Sequence, residues 1–278
     1  MRRYAMKKIL LLITVLAAIT ATAFSIDKVS IGEIASAEGK VNIYKENEVR
    51  GELFRKNNHR LFKGDRIKTS GKSKAFINFR DQSKVVVLEK SLLTIDDFKK
   101  YSPSEGKVVF KITKTNEAQG VQIGLQTTVI GVKGTTFLVE VEPNPDGIGA
   151  APAKVYLKEG ELEFTSVEGE FKRYVEQVQE EYNSFVNETM SDYERYLKEQ
   201  NEEFVEYVKE FSIKGGAAIS IDGNEVRNIE FDDNVTNAFK ELDLFSSRIN
   251  VQGQTQKKKT VRPPIPPRPQ PKPDNQGK

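Results

Sequence analysis

Ser73-Lys74-Ala75-Phe76-Ile77-Asn78-Phe79-Arg80-Asp81-Gln82-Ser83-Lys84-Val85-Val86-Val87-Leu88 decides the fold class. Ala75, Ile77 and Phe79 alternate with Lys74, Phe76 and Asn78, the period-2 signature of a strand with one face buried. Phe76 is the exception on the polar side. Val85 to Leu88 is a continuous apolar run, rich in the β-branched residues that suit a pleated sheet. Asp81 marks a turn between the two.

The same grammar extends in both directions. Val41 and Ile43, then Val108, Phe110 and Ile112, then Val121, Ile123 and Leu125, then Phe137, Val139 and Val141 sit at alternate positions. Val155 and Leu157, then Leu162 and Phe164, flank the hairpin turn Lys158-Glu159-Gly160-Glu161. Turn residues recur every ten or so positions, at Gly39, Gly64-Asp65, Gly71, Asp81, Gly106, Gly120, Gly131 and Gly134. Short strands at this spacing predict a mainly β domain over residues 31–169, a sandwich, barrel or roll.

The pattern changes at Glu170. No Gly or Pro occurs from there to Lys214, and Phe171, Val175, Val178, Tyr182, Phe185, Thr189, Tyr193, Tyr196 and Gln200 recur at spacings of three and four, continued by Phe204, Tyr207, Val208 and Phe211. This predicts a long amphipathic helical insertion over 170–214, continuous or broken into a hairpin at the capping box Ser191-Asp192-Tyr193-Glu194. Its aromatic stripe, Phe171, Tyr182, Phe185, Tyr196, Phe204 and Phe211, is the candidate partner-binding face. Thirteen acids against six bases over 168–214 argue against an anionic membrane as the partner. Beyond Gly215-Gly216 a β-hairpin is expected over 215–232, turning at Asp222-Gly223-Asn224. A short helix is expected over 234–246. Residues 257–278 hold seven of the 11 prolines and read as a basic, disordered or polyproline tail.

Residues 1–23 read as a signal peptide, with Arg2, Arg3, Lys7 and Lys8 before an apolar run from Ile9 to Ile19 and an Ala21-Thr22-Ala23 cleavage site. A retained membrane anchor is the alternative. Cleavage turns the formal charge of +3 over 278 residues into −1, because the leader holds four of 43 basic residues and none of 40 acidic ones. Setting the basic tail aside as well leaves a body at −7, which excludes a nucleic-acid binder with a basic folded surface. No cysteine excludes disulfides, thiol nucleophiles and cysteine metal sites. A single histidine excludes multi-histidine metal centres.

Motifs that carry chemistry are sparse. Gly71-Lys72-Ser73 echoes the end of a phosphate-binding loop, but Arg66 stands where the matching glycine belongs and no helix follows. His59 is expected in a solvated loop beside Arg55, Lys56 and Arg60, Asp96-Asp97 in a turn, and the sequon at Asn187 in a helix. No catalytic residue, cofactor site or metal site is expected.

One ordered set of motifs is more specific. Gly39-Lys40-Val41 is followed by Gly64-Asp65-Arg66-Ile67-Lys68-Thr69, then by Ala75 to Phe79 with Asp81-Gln82-Ser83, then by Leu88 through Ser91 to Ile95. Val132-Lys133-Gly134-Thr135-Thr136-Phe137-Leu138-Val139 and Val155 to Leu162 close the series. In this order they resemble the FecR-domain family, whose pattern runs G-x-V, G-D-x-I-x-T, A-x-I-x-F-x-D-G-S, V-x-G-T-x-F-x-V and V-x-L-x-x-G. The resemblance covers about residues 35–165 and resumes at 215–231. Gly64, Asp65, Thr69, Asp81, Ser83, Gly131, Gly134, Thr135 and Phe137 carry it, as turn and sheet residues and not as a catalytic site. Gln82 stands where the family has glycine.

The resemblance implies an extracytoplasmic, non-enzymatic protein. The member that names the family relays signals from an outer-membrane transporter to a sigma factor, and needs a cytoplasmic tail before a membrane span. Only eight residues precede the apolar run here. The expectation is therefore a stand-alone periplasmic or secreted module that binds or scaffolds an envelope protein, or self-associates through the helical insertion. A membrane-anchored signalling regulator and a carbohydrate- or peptidoglycan-binding β-domain are the alternatives.

Overall fold

The computed structural model describes residues 29–55, 59–114, 120–144, 149–175 and 204–259. Among them are nineteen strands and one helix. In chain order the strands are β1 (Gly32–Glu38), β2 (Val41–Tyr44), β3 (Glu52–Leu53), β4 (His59–Leu61), β5 (Arg66–Thr69), β6 (Lys74–Phe79), β7 (Lys84–Val87), β8 (Leu92–Asp97), β9 (Lys100–Lys111) and β10 (Val121–Gly124). They continue as β11 (Thr128–Val132), β12 (Thr136–Val141), β13 (Ala153–Glu159), β14 (Glu161–Ser166), β15 (Phe171–Val175), β16 (Phe204–Val208), β17 (Glu210–Lys214), β18 (Ala218–Asp222) and β19 (Glu225–Asn228), before α1 (Asp233–Lys259). The fold is mainly β, as its periodicity predicts.

The strands form two sheets. Sheet A runs β4-β1-β6-β7-β9-β12-β13-β18-β19-β15-β16. Sheet B runs β3-β2-β5-β8-β9-β10-β11-β14-β17. Strand β9 belongs to both. Its first half pairs with β8 in sheet B and its second half with β7 and β12 in sheet A. The change of sheet falls at Gly106, whose φ is +75°, a conformation that costs glycine little.

Alternation puts one face of each sheet into a shared core. Ala75, Ile77, Val85, Val87, Val108, Phe110, Phe137, Val139, Val155 and Leu157 come from sheet A. They meet Val41, Ile43, Ile67, Leu93, Ile95, Ile123, Ile130, Leu162 and Phe164 from sheet B. The Phe110 and Phe137 rings stack with centroids 5.0 Å apart.

Phe76 now has its reason. Phe76, Val86, Val109, Leu138, Tyr156 and Ala218 are successive register partners across six strands, forming one apolar row on the outer face of sheet A. Helix α1 covers that row with Val235, Ala238, Phe239, Leu242 and Phe245. Both faces of these strands are therefore buried, which is why their apolar residues occur in unbroken runs. Asp232 caps the helix, its carboxylate accepting the Val235 N–H at 2.7 Å. Lys74–Glu241 at 2.7 Å and Lys158–Asp243 at 3.1 Å tie it to the sheet.

The expected helical insertion over 170–214 is corrected at both ends. Residues 171–175, 204–208 and 210–214 are strands. Strand β15 pairs with β16 in sheet A, and β14 pairs with β17 in sheet B, so these four strands form one antiparallel hairpin bent from sheet to sheet. The spacings of three and four at each end fall mostly within single strands, Phe171 to Val175 in β15 and Phe204 to Val208 in β16, and only Val208 to Phe211 passes from one strand to the next. Sheet partners distant in sequence then overrode the helical preference of the local composition. The bend between β16 and β17 falls at Lys209, so the absence of Gly and Pro was no guide. The centre of the expected insertion, 176–203, lies outside the described residues.

Two further boundaries move. The helix expected over 234–246 extends to Lys259, so residues 257–259 of the expected tail are helical. Residues 260–278, the leader and the Asn187 sequon lie outside the described residues. No helix among those described is long and apolar enough to cross a membrane.

Candidate functional site

Most motif turns lie where the chain passes from one sheet to the other, whereas Asp81 to Ser83 close the β6–β7 hairpin within sheet A. Asp65 is 1% exposed. Its Oδ2 accepts the Phe62 N–H at 3.0 Å and the Lys45 ammonium at 2.8 Å, so the carboxylate closes one turn and holds another chain segment to it. A buried carboxylate requires such partners. Gly64, with φ of +83°, lets the chain turn while its N–H donates to the Ile95 carbonyl at 2.7 Å. Thr69 is equally buried. Its hydroxyl accepts the Ser91 N–H at 2.9 Å and donates to the Leu88 carbonyl.

A corner device then recurs. A residue with positive φ precedes a buried Ser, whose hydroxyl accepts a backbone N–H from a segment distant in sequence. Lys72 (φ +55°) precedes Ser73, which accepts from Lys40 at 2.8 Å. Gln82 (φ +66°) precedes Ser83, which accepts from Thr113 at 3.2 Å. Lys90 (φ +52°) precedes Ser91, which accepts from Lys107 at 2.8 Å. Asp81 supports the second corner by accepting the Ser83 N–H at 3.0 Å. Gly134 (φ +69°) and Thr135 repeat the backbone form, but the Thr135 hydroxyl is buried and has no hydrogen-bond partner among the described residues. Gly71-Lys72-Ser73 is thus a strand-connecting turn, with its hydroxyl committed to the fold. Phe137 lies in the core.

Gly131 departs from its expected role as a turn residue. It sits inside β11, between Gln122 of β10 and Glu163 of β14, and its φ is not among the positive ones.

The candidate partner-binding face is divided by the structure. Phe171 is fully buried, edge-on to Phe211 with centroids 5.1 Å apart. Phe211 stacks on Phe164 at 4.8 Å, and the Arg173 guanidinium lies 5.1 Å from the Phe211 ring centroid. Phe171 therefore belongs to the core, and Phe211, half-buried, packs against it at the base of the bent hairpin. Phe204 is in β16, opposite Val175. Tyr182, Phe185 and Tyr196 lie outside the described residues.

The other candidates are placed as follows. His59 is not in a solvated loop. It is half-buried in β4, opposite Ile34, edge-on to Phe54, with Nε2 3.5 Å from the Lys45 ammonium. Burial, and then the charge of Lys45, hold its pKa below the ordinary value. Asp96 accepts the Ser102 hydroxyl at 2.6 Å, while Asp97 pairs with Lys63 at 2.7 Å, so the two carboxylates serve separate partners. Among the described residues no group of three or more His, Asp or Glu is placed to hold a metal ion. The apolar row under α1 and the Ser corners were present in the sequence, as unbroken apolar runs and as Ser following a turn.

Comparison with known proteins finds a matching family and similar solved structures. The FecR protein family matches residues 65–150, from β5 through β12. Two crystal structures of a candidate anti-sigma factor from Parabacteroides distasonis ATCC 8503 align at 11% identity and TM-score 0.40. The alignment covers 63% of this chain, and the chain spans 63% of that protein's length. No curated protein matches. The buried Asp65, Thr69 and Ser83 and the corner at Gly134 are the residues by which the motifs resemble this family, and the chain carries a FecR-family segment at residues 65–150.

Proposed function

We propose that this protein is a non-enzymatic FecR-domain module of the bacterial cell envelope, with a signalling-related or scaffolding role. In this reading the leader directs it across the inner membrane, and it acts by binding a protein partner through residues 176–203. One observation carries the proposal. Val175 and Phe204 are register partners in the β15–β16 hairpin. A turn of two to five residues suffices to close such a hairpin, yet 28 residues stand between them.

As an open loop, that length costs about 2 kcal/mol more than a two-residue turn. A hairpin serving only the fold has no need of it. The segment holds nine acids and two bases, with Tyr182, Phe185, Tyr193 and Tyr196 at helical spacings. Aromatic residues are favoured at protein interfaces. Its base is firmly built, because Phe164, Phe171 and Phe211 pack in the common core.

The test replaces residues 176–203 with Asn-Gly. The expected product folds, melts within about 5 °C of the parent, and loses the partner or self-association captured by cross-linking in the native envelope. An unfolded product, or a partner retained at full yield, removes the segment from this role. Intact mass of the envelope fraction tests the leader, with a mature chain beginning at Phe24 expected. Full-length protein in the inner membrane favours the anchored regulator.

A further inference from the structure

Gly131 is a glycine that the fold does not require. It lies in the interior of β11, where glycine weakens a strand relative to residues with side chains. Its backbone is not in the left-handed region. A Cβ there would find its nearest neighbour, Glu163 Cβ, at 3.6 Å, an ordinary contact. Neither backbone conformation nor packing therefore accounts for it. Glycine inside a strand often marks a bulge, a tight bend, or close approach of a ligand or another backbone, and the unshifted register of β11 with β10 and β14 removes the bulge.

Such a place is present. A groove of about 290 Å³ opens over Gly131 on sheet B. Its floor is the cross-strand row Gln122–Gly131–Glu163. Phe98, Lys100 and Lys133 also line it. Phe98 is 45% exposed, a large aromatic surface beside polar groups. Three lining lysines, buried Lys99 and exposed Lys100 and Lys133, against the one carboxylate of Glu163 give the groove positive polarity on a body that is net acidic. The volume sits at the lower end of small-molecule sites, the size of a sugar ring or a dipeptide.

We propose that the groove over Gly131 binds a small carboxylate-bearing ligand, its carboxylate held by Lys100 and Lys133 and its apolar face against Phe98. Ammonium–carboxylate contacts supply the charge-assisted part of recognition. The missing side chain at Gly131 lets the ligand reach the sheet, and Gln122 and Glu163 are placed to meet its hydroxyl or amide groups. A carboxylated amino sugar and an acidic dipeptide share this chemistry.

Amide NMR titration of the full chain tests the proposal with three probes: N-acetylmuramic acid, N-acetylglucosamine, which lacks the carboxylate, and the dipeptide Ala-Glu. Saturable shifts at Gln122, Gly131 and Lys133 are expected with at least one carboxylate probe, with half-saturation near about 1 mM, and none with N-acetylglucosamine. The responding acid identifies the source. Gly131→Val fills the floor with a residue suited to a strand, so its melting temperature should be unchanged or higher while binding falls at least about tenfold. Lys133→Gln should weaken binding without disturbing the sheet, and it decides the matter if Gly131→Val does not fold. The proposal is overturned if neither acid gives a saturable shift below about 50 mM. It is equally overturned if both variants bind like the parent, or if N-acetylglucosamine binds as tightly as its acid.

Discussion

Gln82 occupies a corner that its side chain does not favour. Its φ of +66° is left-handed backbone, which costs a non-glycine residue about 1–2 kcal/mol. The resemblance places glycine at this position, and the structure supplies the reason. Gln82→Gly should relieve the strain but add entropy to the unfolded chain, for a net gain of about 0.5–1 kcal/mol. Urea denaturation checks this, and an unchanged or lower midpoint refutes it. His59 offers a pH test. Its pKa is lowered in the fold from 6.5, so folding favours the neutral ring. That contribution is complete above pH 6.5 and is lost as pH falls from there toward the folded-state value. The urea midpoint of the parent should therefore drop more between pH 7.5 and 5.5 than that of His59→Gln. Equal drops would assign the acid sensitivity to other groups.

At the scale of elements, α1 is tied to sheet A by a few side chains set on one row. Leu242 is fully buried among them, against the stripe from Phe76 to Ala218. Leu242→Ala should cost about 2–4 kcal/mol, since it removes buried methyl groups and leaves a cavity. A loss below about 0.5 kcal/mol, the size of an ordinary surface change, would mean that the helix contributes little to the stability of the sheet. The existence of this helix was legible from Asn234 onward, and so was the hairpin turning at Gly223. The strands β15 to β17 were not. Phe171, Val175, Phe204, Tyr207 and Phe211 satisfy both a helical and an extended spacing over so few residues. The choice fell to register partners such as Phe164 and Val208, which the local sequence does not announce.

At the scale of the molecule, the two sheets share one core, and residues late in the chain complete it. Phe171, Ile213, Ile219, Ile221 and Val226 pack with Ile34 and Val41 from its beginning. The expected β-domain boundary at residue 169 therefore cuts through a single unit, which extends from Ile31 onward. A fragment of residues 24–169 loses β15 to β19 and α1, exposing the inner face at one end and the Phe76 row outside. It should be unfolded or aggregated, as circular dichroism and size exclusion would report. A monomeric fragment with native-like strand content would show that the first fourteen strands fold alone.

The sequence by itself determined what depends on near neighbours. Alternation and apolar runs picked out β2, β6, β7, the second half of β9, β10, β12, β13 and β14, but not β3, β4 or β11; Gly and Asp marked most turns, and the ordered motifs pointed to the family before any contact was known. Tertiary structure decided what depends on partners far along the chain. The continuous runs at Val85 and Val108 recorded burial on both faces, but only sheet register showed that α1 provides the second cover. Ser73 read as a turn residue and Ser83 and Ser91 as motif residues, yet their roles follow from the distant backbone N–H groups they accept. Gly131 read as one more turn, and only its place between Gln122 and Glu163 reveals a glycine that the backbone does not need. Periodicity carries the direction of a side chain, but not the identity of what it meets.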